Sequence, residues 1–357
     1  MGTKWATTVW ESSTKTSPGY FFIEMYNKRD RDYENTKKSV KRPDHQKKRW
    51  QKKKMKGWSE STSKKARREY GPNSTEVCDD LDITTLEQLK VEYLKLHIEI
   101  SNDKLDQIEK QTVQQSASQV WKSERKKRLT ASNYGKIVRR NPKLKVTNLV
   151  KDLLYSNFKG NRCTVKGLQE ERNTIHEYIL KKAELGHNVT VEPVGLIINR
   201  QHKFLAASPD GKVKDSNGDI GLIEIKNLLQ NKNISFMQAT KTVKDFCLVE
   251  KNGVLSLKKN HLYYYQCQGL VNVTGLPWID FVVRSLSPYQ IHIERIYSDK
   301  DLWNDIMLPK LTAFYHQVLL SELAAPRYNK VPGIREPGIW VGIIDFTNIA
   351  FNIPSSS

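Results

Sequence analysis

The order of hydrophobic patterns from Trp121 onward limits the possible folds of this 357-residue chain more than any other feature. Apolar residues at helical spacing come first, strand-like segments rich in β-branched residues follow, and the patterns then alternate up to a last helix that we expect Ser298 to cap. The strand-like segments are 189–199, 203–208, 220–226, 279–285 and 291–297, and the helical ones include 149–154, 168–179 and 261–273. This order predicts an α/β domain with a mixed central β-sheet flanked by helices.

Three further segments surround this domain. Residues 1–83 are expected to form a basic, largely disordered region, because residues 37–69 carry fifteen Lys or Arg and three acidic side chains. Residues 84–120 predict a helical lead-in, since their apolar residues recur at helical spacing. The domain itself is expected over residues 121–325. The tail 326–357 contains Pro and Gly and has no helical period.

The charge of the chain favours a polyanionic partner. The formal net charge is +20, from 59 basic and 39 acidic residues, and a basic surface attracts polyanions by releasing their counterions. Nucleic acid is therefore the leading partner. The basic tract itself is interpreted as a DNA contact or a nuclear-localisation signal, with a solvated linker as the alternative.

Cysteine spacing and hydropathy exclude several other classes. The four cysteines are far apart and show no C-x-x-C spacing, which indicates neither a disulfide framework nor a zinc ribbon. No apolar run has the length that spans a bilayer, and the N-terminus lacks the apolar stretch of a signal peptide. We expect a nuclear or cytoplasmic protein without a membrane partner.

The segment Leu222–Lys226 places a carboxylate and an ammonium on one face of a strand. Side chains alternate along a strand, so Glu224 and Lys226 share one face while Ile223 and Ile225 point into the core on the other. The alternative is a surface strand with a solvated Glu and Lys, which is the favoured interpretation of E-x-K on its own.

A second carboxylate, that of Asp210, lies fourteen positions before Glu224. Ser208-Pro209-Asp210-Gly211 closes an apolar strand with a tight turn, which brings Asp210 beside Glu224 if the two strands are neighbours. Adjacent carboxylates repel each other unless a cation lies between them. Such hard oxygen ligands suit Mg²⁺, for which Mn²⁺ can substitute. In that setting Lys226 would orient the attacking water or stabilise the developing charge.

Glu171 is a third candidate. It falls on the apolar stripe of the predicted helix 167–185, between Leu168 and Ile175, where charges are rarely buried without a partner. We interpret it as a metal ligand or a water-orienting carboxylate, with a salt-bridged core edge as the alternative. Its neighbour Glu170 is expected to be solvated.

Five motifs in order carry a family resemblance. Residues 121 to about 315 resemble the lambda-exonuclease-like branch of the PD-(D/E)xK nucleases, the YqaJ viral recombinase family. The motifs are Trp121-x-x-x-Arg125 with Thr130-Ala131-Ser132, then Gly167-x-x-x-Glu171, Ser208-Pro209-Asp210-Gly211, Glu224-Ile225-Lys226 and Tyr263-x-x-Gln266-x-Gln268.

The resemblance implies a restriction-endonuclease-like core and a set of roles. Asp210, Glu224 and the Ile225 carbonyl look like the metal ligands, with Glu171 assisting and Lys226 as the catalytic lysine. A second group is similar to the family's pocket for a terminal 5′-phosphate. Its members are Arg125, Ser132, Ser208 and Gln266. A fixed cation with hydroxyl and amide donors fits a phosphate chemically.

The function implied is a Mg²⁺-dependent exodeoxyribonuclease that digests duplex DNA from a 5′-phosphorylated end, 5′ to 3′, in recombination or repair. The resemblance also implies a ring-like homotrimer. An endonuclease acting on branched DNA is a variant of this hypothesis. The main alternative is a catalytically inactive DNA-binding protein of viral or mobile-element origin that retains the nuclease fold. A glycoside hydrolase with paired carboxylates would leave Lys226 and the basic charge unexplained.

The chain departs from the family pattern in two places. Asn227-Leu228 follows the lysine where family members often have Cys-Pro, and Lys126, Lys127 and Arg128 stand where a glycine is common. Neither change removes a candidate ligand, so the departures concern how the substrate is handled.

Overall fold

The structure, a computed structural model, describes residues 81–141, 143–156, 162–228, 232–328 and 334–335, and gives the backbone alone for 162–168. The predicted disordered region, apart from residues 81–83, and most of the tail lie outside the described residues. The helices described are α1 (Ile83–Tyr93), α2 (Asn102–Gln111), α3 (Gln119–Lys127), α4 (Ala131–Val138), α5 (Thr147–Leu154), α6 (Arg162–Glu184), α7 (Phe236–Thr242), α8 (Leu262–Thr274), α9 (Leu308–Phe314) and α10 (Leu320–Ala324). Short π-helical segments occur at Leu94–Ile98, Leu302–Met307 and Tyr315–Leu319, with a 3₁₀ turn at Gln115–Ala117.

The strands described are β1 (Leu129–Thr130), β2 (Val189–Glu192), β3 (Ile197–Ile198), β4 (Leu205–Ala207), β5 (Gly211–Asp215), β6 (Ile220–Asn227), β7 (Leu248–Lys251), β8 (Val254–Leu257), β9 (Trp278–Leu286) and β10 (Tyr289–Tyr297). Within the described residues the largest sheet has the order β10-β9-β6-β5-β2. In it β6 runs parallel to β9 and antiparallel to β5. A small sheet, β1-β4-β3, and the hairpin β7-β8 lie apart from it. The α/β class with a mixed sheet flanked by helices is confirmed.

The central strand β6 is buried on both faces. On one face Ile223 and Ile225 join an apolar cluster beneath α6 that includes Tyr178 and Trp278. On the other face Leu222 belongs to the main core, which the helices α4, α5, α8 and α9 help to build. The predicted inward direction of Ile223 and Ile225 is therefore confirmed. Any charged group on this strand must find its partners inside the protein.

Two predicted features of the strands and helices need correction. The segment 189–199 is not one strand: β2 and β3 belong to different sheets, and Pro193 and Gly195 lie in the break between them. Proline cannot donate to a ladder, which explains the interruption. The last helical region is capped by Asp299, not Ser298, because Asp299 Oδ1 accepts the Leu302 amide at 3.0 Å, while the Ser298 hydroxyl donates to Asn272.

The helices α4 and α8 cross closely at a glycine. A Cβ added at Gly269 on α8 would lie 2.4 Å from the Tyr134 ring of α4, so a larger residue would separate the helices. This crossing fixes α8 over β6 and carries Tyr263 and Gln266 to the Glu224 side of the strand. No helix among the described residues has the length and apolar character needed to cross a membrane.

Candidate active site

Asp210 reaches Glu224 through the strand that follows it. The amide of Asp210 donates to the Ile223 carbonyl at 3.1 Å, and the Asp210 Oδ2 accepts the Ile225 amide at 2.7 Å. The condition stated for this contact, that the preceding strand is the neighbour of β6, is not met, because β4 belongs to the small sheet. It is β5, beginning at Gly211, that pairs with β6. The juxtaposition of the two carboxylates nevertheless exists.

Glu224 has a buried carboxylate, and its two oxygens differ in their hydrogen bonds. The residue is 2% exposed. Its Oε1 receives the Lys226 ammonium and also the Gln266 side-chain amide, the latter at 2.6 Å. Its Oε2 is buried, and none of the described residues provides it with a hydrogen-bond partner. The alternative of a solvated surface pair is wrong, and a buried oxygen without a partner is costly unless a ligand completes it.

The electrostatics of the site reflect crowded carboxylates in a dry environment. Burial first, and then the Glu224 and Glu171 carboxylates, raise the pKa of Asp210 well above its ordinary value. Burial alone would lower the pKa of Lys226, but Glu224 and Asp210 outweigh it and the pKa is raised. Lys226 therefore stays charged at neutral pH. Its ammonium also lies 4.9 Å from the centre of the Tyr263 ring, a cation–π contact.

Glu171 lies half-buried on α6, within electrostatic reach of Asp210. The expectation that Glu170 would be solvated is wrong, because its carboxylate pairs with Arg284 at 2.8 Å. Arg284 on β9 also binds Glu177 with two nitrogens, at 2.7 and 2.5 Å. The helix that carries Glu171 is thus tied to the sheet by a bidentate ion pair.

The departure at Asn227 has a structural role. The Thr174 hydroxyl on α6 lies 2.8 Å from Asn227 Oδ1, at the residue directly after Lys226. Asn227 is also the register partner of Arg284 in the β6–β9 ladder. Arg284 lies outside the five motifs, and no sequence pattern indicates its role. That role becomes visible only in the structure, from its place in the ladder and its ion pairs with α6.

Three of the four expected phosphate-pocket residues meet around Trp121. The Arg125 Nη2 donates to the Ser132 hydroxyl at 3.3 Å, and the guanidinium lies 4.2 Å from the Trp121 ring centre. The Trp121 indole in turn donates to the Ser208 hydroxyl at 2.9 Å. Gln266 has a different contact, since its amide is hydrogen-bonded to Glu224. Burial lowers the pKa of Arg125 to about 10, which leaves it charged at neutral pH.

The donor set fits a hard divalent cation by its chemistry. Within the described residues no group of three or more His, Cys, Asp or Glu side chains is arranged to hold a metal ion. Two carboxylates and a main-chain carbonyl remain, those of Asp210, Glu224 and Ile225, and oxygen ligands of these kinds suit Mg²⁺. The buried Glu224 Oε2 supports this fit, because among the described residues it has no hydrogen-bond partner and could therefore bind a cation.

Comparisons with known proteins agree with the motifs. Residues 120–277 match the YqaJ-like viral recombinase domain, which spans all five motifs and confirms the resemblance inferred from them. No curated protein sequence matches the chain significantly. Similar solved structures include an alkaline exonuclease from Laribacter hongkongensis, 25% identical, with a TM-score of 0.41, covering 56% of this chain and 93% of that one.

Two other solved structures are more distant in sequence. The shutoff and exonuclease protein of Kaposi's sarcoma-associated herpesvirus is 11% identical, with a TM-score of 0.39, and the match covers 64% of this chain and 75% of that one. A SOX–DNA complex is 10% identical, with a TM-score of 0.40 and coverages of 62% and 72%.

Proposed function

We propose that this chain, whose residues 120–277 match the YqaJ-like viral recombinase domain, is a metal-dependent deoxyribonuclease that digests duplex DNA from its ends, 5′ to 3′. The observation that carries the proposal is the buried Glu224. Its Oε2 has no hydrogen-bond partner in the part of the chain that the structure describes, while Asp210 and Lys226 lie beside it. Although Lys226 neutralises part of the charge, a buried oxygen without a partner costs stability unless a ligand completes it. Retention of all four candidate residues argues against an inactive descendant of the family.

Each residue has a role that follows from its position. Asp210, Glu224 and the Ile225 carbonyl would hold Mg²⁺ or Mn²⁺, with Glu171 assisting from α6. The metal would polarise the scissile phosphate and help to generate hydroxide. Lys226 is charged and fixed between Glu224 and the Tyr263 ring, so it can orient the attacking water or stabilise the charge that develops on the phosphate.

The second part of the proposal concerns the Trp121 cluster, which consists of Trp121, Arg125, Ser132 and Ser208. Arg125 offers a permanently charged fork, stacked on Trp121, and the hydroxyls of Ser132 and Ser208 lie within the same cluster. These groups can surround a terminal 5′-phosphate without having to ionise. Binding of the terminal phosphate there would fix which phosphodiester bond lies next to the carboxylates.

The decisive experiment is digestion of linear duplex DNA labelled at one end, with Mg²⁺, Mn²⁺ or EDTA, on 5′-phosphorylated and 5′-hydroxyl ends. We expect metal-dependent loss of nucleotides from the 5′ end, faster on the phosphorylated substrate. Asp210→Asn and Glu224→Gln should abolish cleavage, since each removes a ligand charge at nearly constant size. Tight DNA binding by the wild type without cleavage under any metal would instead identify an inactive DNA-binding protein.

A further inference from the structure

Gln115 reaches from the lead-in segment to the backbone directly before Asp210. Its side-chain Nε2 donates to the Pro209 carbonyl at 2.8 Å and to the Val194 carbonyl at 3.1 Å. Both acceptors are carbonyl oxygens, so only the NH₂ side of the amide can satisfy them. Gln115 lies outside residues 120–277, so the family match does not include this contact.

The contact fixes one peptide plane at both ends. The Pro209 carbonyl and the Asp210 amide belong to the same planar peptide unit. The carbonyl accepts from Gln115, and the amide donates to Ile223 on β6 at 3.1 Å. A plane held on opposite sides by the lead-in and by the central strand cannot rotate freely. The direction in which Asp210 presents its carboxylate is set from this plane.

The segment that carries Gln115 is itself firmly seated. The Thr112 hydroxyl accepts the Leu196 amide at 2.7 Å, and a Cβ added at Gly195 would lie 1.9 Å from the Glu109 carbonyl oxygen. The two backbones therefore approach as closely as glycine allows. Gln115 has a φ of +43°, a conformation that a residue with a side chain rarely adopts and that persists where surrounding contacts impose it.

We propose that Gln115 is a positioning residue for the metal site: it holds the Pro209–Asp210 peptide so that Asp210 faces Glu224 before any cation binds. The lead-in segment then contributes to the function of the nuclease, because it raises the affinity of the site for the divalent ion. This inference rests on the proposed function, because it takes Asp210 as a metal ligand.

The test compares two variants of Gln115 with two controls. Gln115→Met keeps the length of the side chain and removes the donor, and Gln115→Glu places acceptor oxygens against the two carbonyls. Gln114→Met changes the exposed neighbour. Thr112→Val breaks the contact with Leu196 and weakens the same segment without touching Pro209. For each full-length protein, Mn²⁺ binding is measured without DNA by titration, alongside the melting temperature and the Mg²⁺ dependence of cleavage at saturating DNA.

We expect both Gln115 variants to weaken Mn²⁺ binding about tenfold, because, of the two hydrogen bonds that they lose, only the one to the Pro209 carbonyl adjoins Asp210, and one hydrogen bond is worth about this factor. The Mg²⁺ needed for half-maximal cleavage should rise by the same factor, with the maximal rate recovered at high Mg²⁺. Gln114→Met should match the wild type. Thr112→Val should lower the melting temperature and keep the Mn²⁺ affinity.

Two results would overturn the inference while the proposed function stands. One is unchanged Mn²⁺ affinity in folded Gln115→Met or Gln115→Glu protein. The other is an equal loss of affinity in Thr112→Val, which would reduce Gln115 to general support of the segment. A wild type that neither binds Mn²⁺ nor cleaves DNA would refute the proposed function itself and this inference with it.

Discussion

Gln266 Nε2 lies 2.6 Å from Glu224 Oε1, on the oxygen that also receives the Lys226 ammonium. The family resemblance assigns Gln266 to the phosphate pocket, but its amide lies at the carboxylate. Two donors on one oxygen fix the rotamer of Glu224 and leave Oε2 as the oxygen that can take a cation. Gln266 thereby connects the two halves of the proposed active site.

We predict that Gln266→Ala slows cleavage on 5′-phosphorylated and 5′-hydroxyl ends by similar factors, about tenfold, because one hydrogen bond to a charged carboxylate is lost. Single-turnover rates on the two substrates provide the measurement. Gln266→Glu should be slower still, since it adds a like charge beside Glu224. A loss confined to phosphorylated ends would place Gln266 in the phosphate pocket alone.

Arg125→Ala should behave differently from Gln266→Ala. Its guanidinium lies with Trp121 and Ser132, so its removal should lower the preference for phosphorylated ends roughly ten- to a hundredfold, as expected for a lost charge-assisted hydrogen bond. The ratio of kcat/KM on the two kinds of end measures this. Lys126→Ala, an exposed change on the same helix, is the matched control. Equal slowing of both substrates would make Arg125 an ordinary contact to the DNA backbone.

Asp210→Asn should stabilise the protein in the absence of metal. A carboxylate whose folded pKa is raised costs stability at every pH above its unfolded value, and the cost is complete once the pH exceeds the folded pKa. We therefore expect the variant to melt about 3 °C higher at pH 8 in EDTA. The gain should shrink as the pH falls and vanish below 3.8, where the carboxyl is protonated in both states.

Melting curves of the wild type and of Asp210→Asn over a pH series test this directly. Asp219→Asn, an exposed change in the β5–β6 turn, controls for the general effect of removing one negative charge. If Asp210→Asn melts no higher than the wild type at any pH, the carboxylates do not repel one another and their assignment to one metal site loses its electrostatic basis.

Asp280 is a purely structural counterpart to the buried carboxylates of the site. It is fully buried on β9 and accepts from Arg295 at 2.8 and 3.0 Å and from the Tyr178 hydroxyl at 2.7 Å. Asp280→Ala should lower the free energy of unfolding by about 3 to 5 kcal/mol, because it leaves a partly buried guanidinium without its partner. Denaturant unfolding gives the value. Asp305→Ala on the exposed side of the last helical region should change it little.

Periodicity predicted the elements that have strong hydrophobic patterns. The alternation at Ile223 to Lys226 and the helical stripes of α5, α6 and α8 appear in the structure close to their expected bounds. The strand β5 was missed because Lys212, Lys214 and Asp215 dilute its apolar content, leaving Val213 as its one large hydrophobic residue. A short polar strand of this kind is specified by its ladder with β6, which single-sequence patterns do not contain.

Contacts between residues distant in the sequence could not be predicted for a similar reason. The motif containing Gln266 was recognised, but its bond to Glu224 depends on how α8 crosses β6. On α8, Gly269 also allows a close approach to Tyr134 of α4, and neither packing contact is visible in the sequence. Gln115 lies in an irregular turn with no periodic signal, and its partners are distant in sequence. Residue types and motif order predict the chemistry of a site, whereas helix crossings and ladder registers decide which atoms meet.

The position of β9 matters for the design of shorter fragments of this protein. The family match ends at residue 277, one residue before β9 begins, yet β9 pairs with β6 along six positions from Leu222 to Asn227. A fragment trimmed to the matched residues would expose the edge of the strand that bears Glu224 and Lys226. Open hydrophobic edges recruit other chains. Such a fragment should be recovered as aggregate, and a usable fragment has to retain β9 and the helices that cover it.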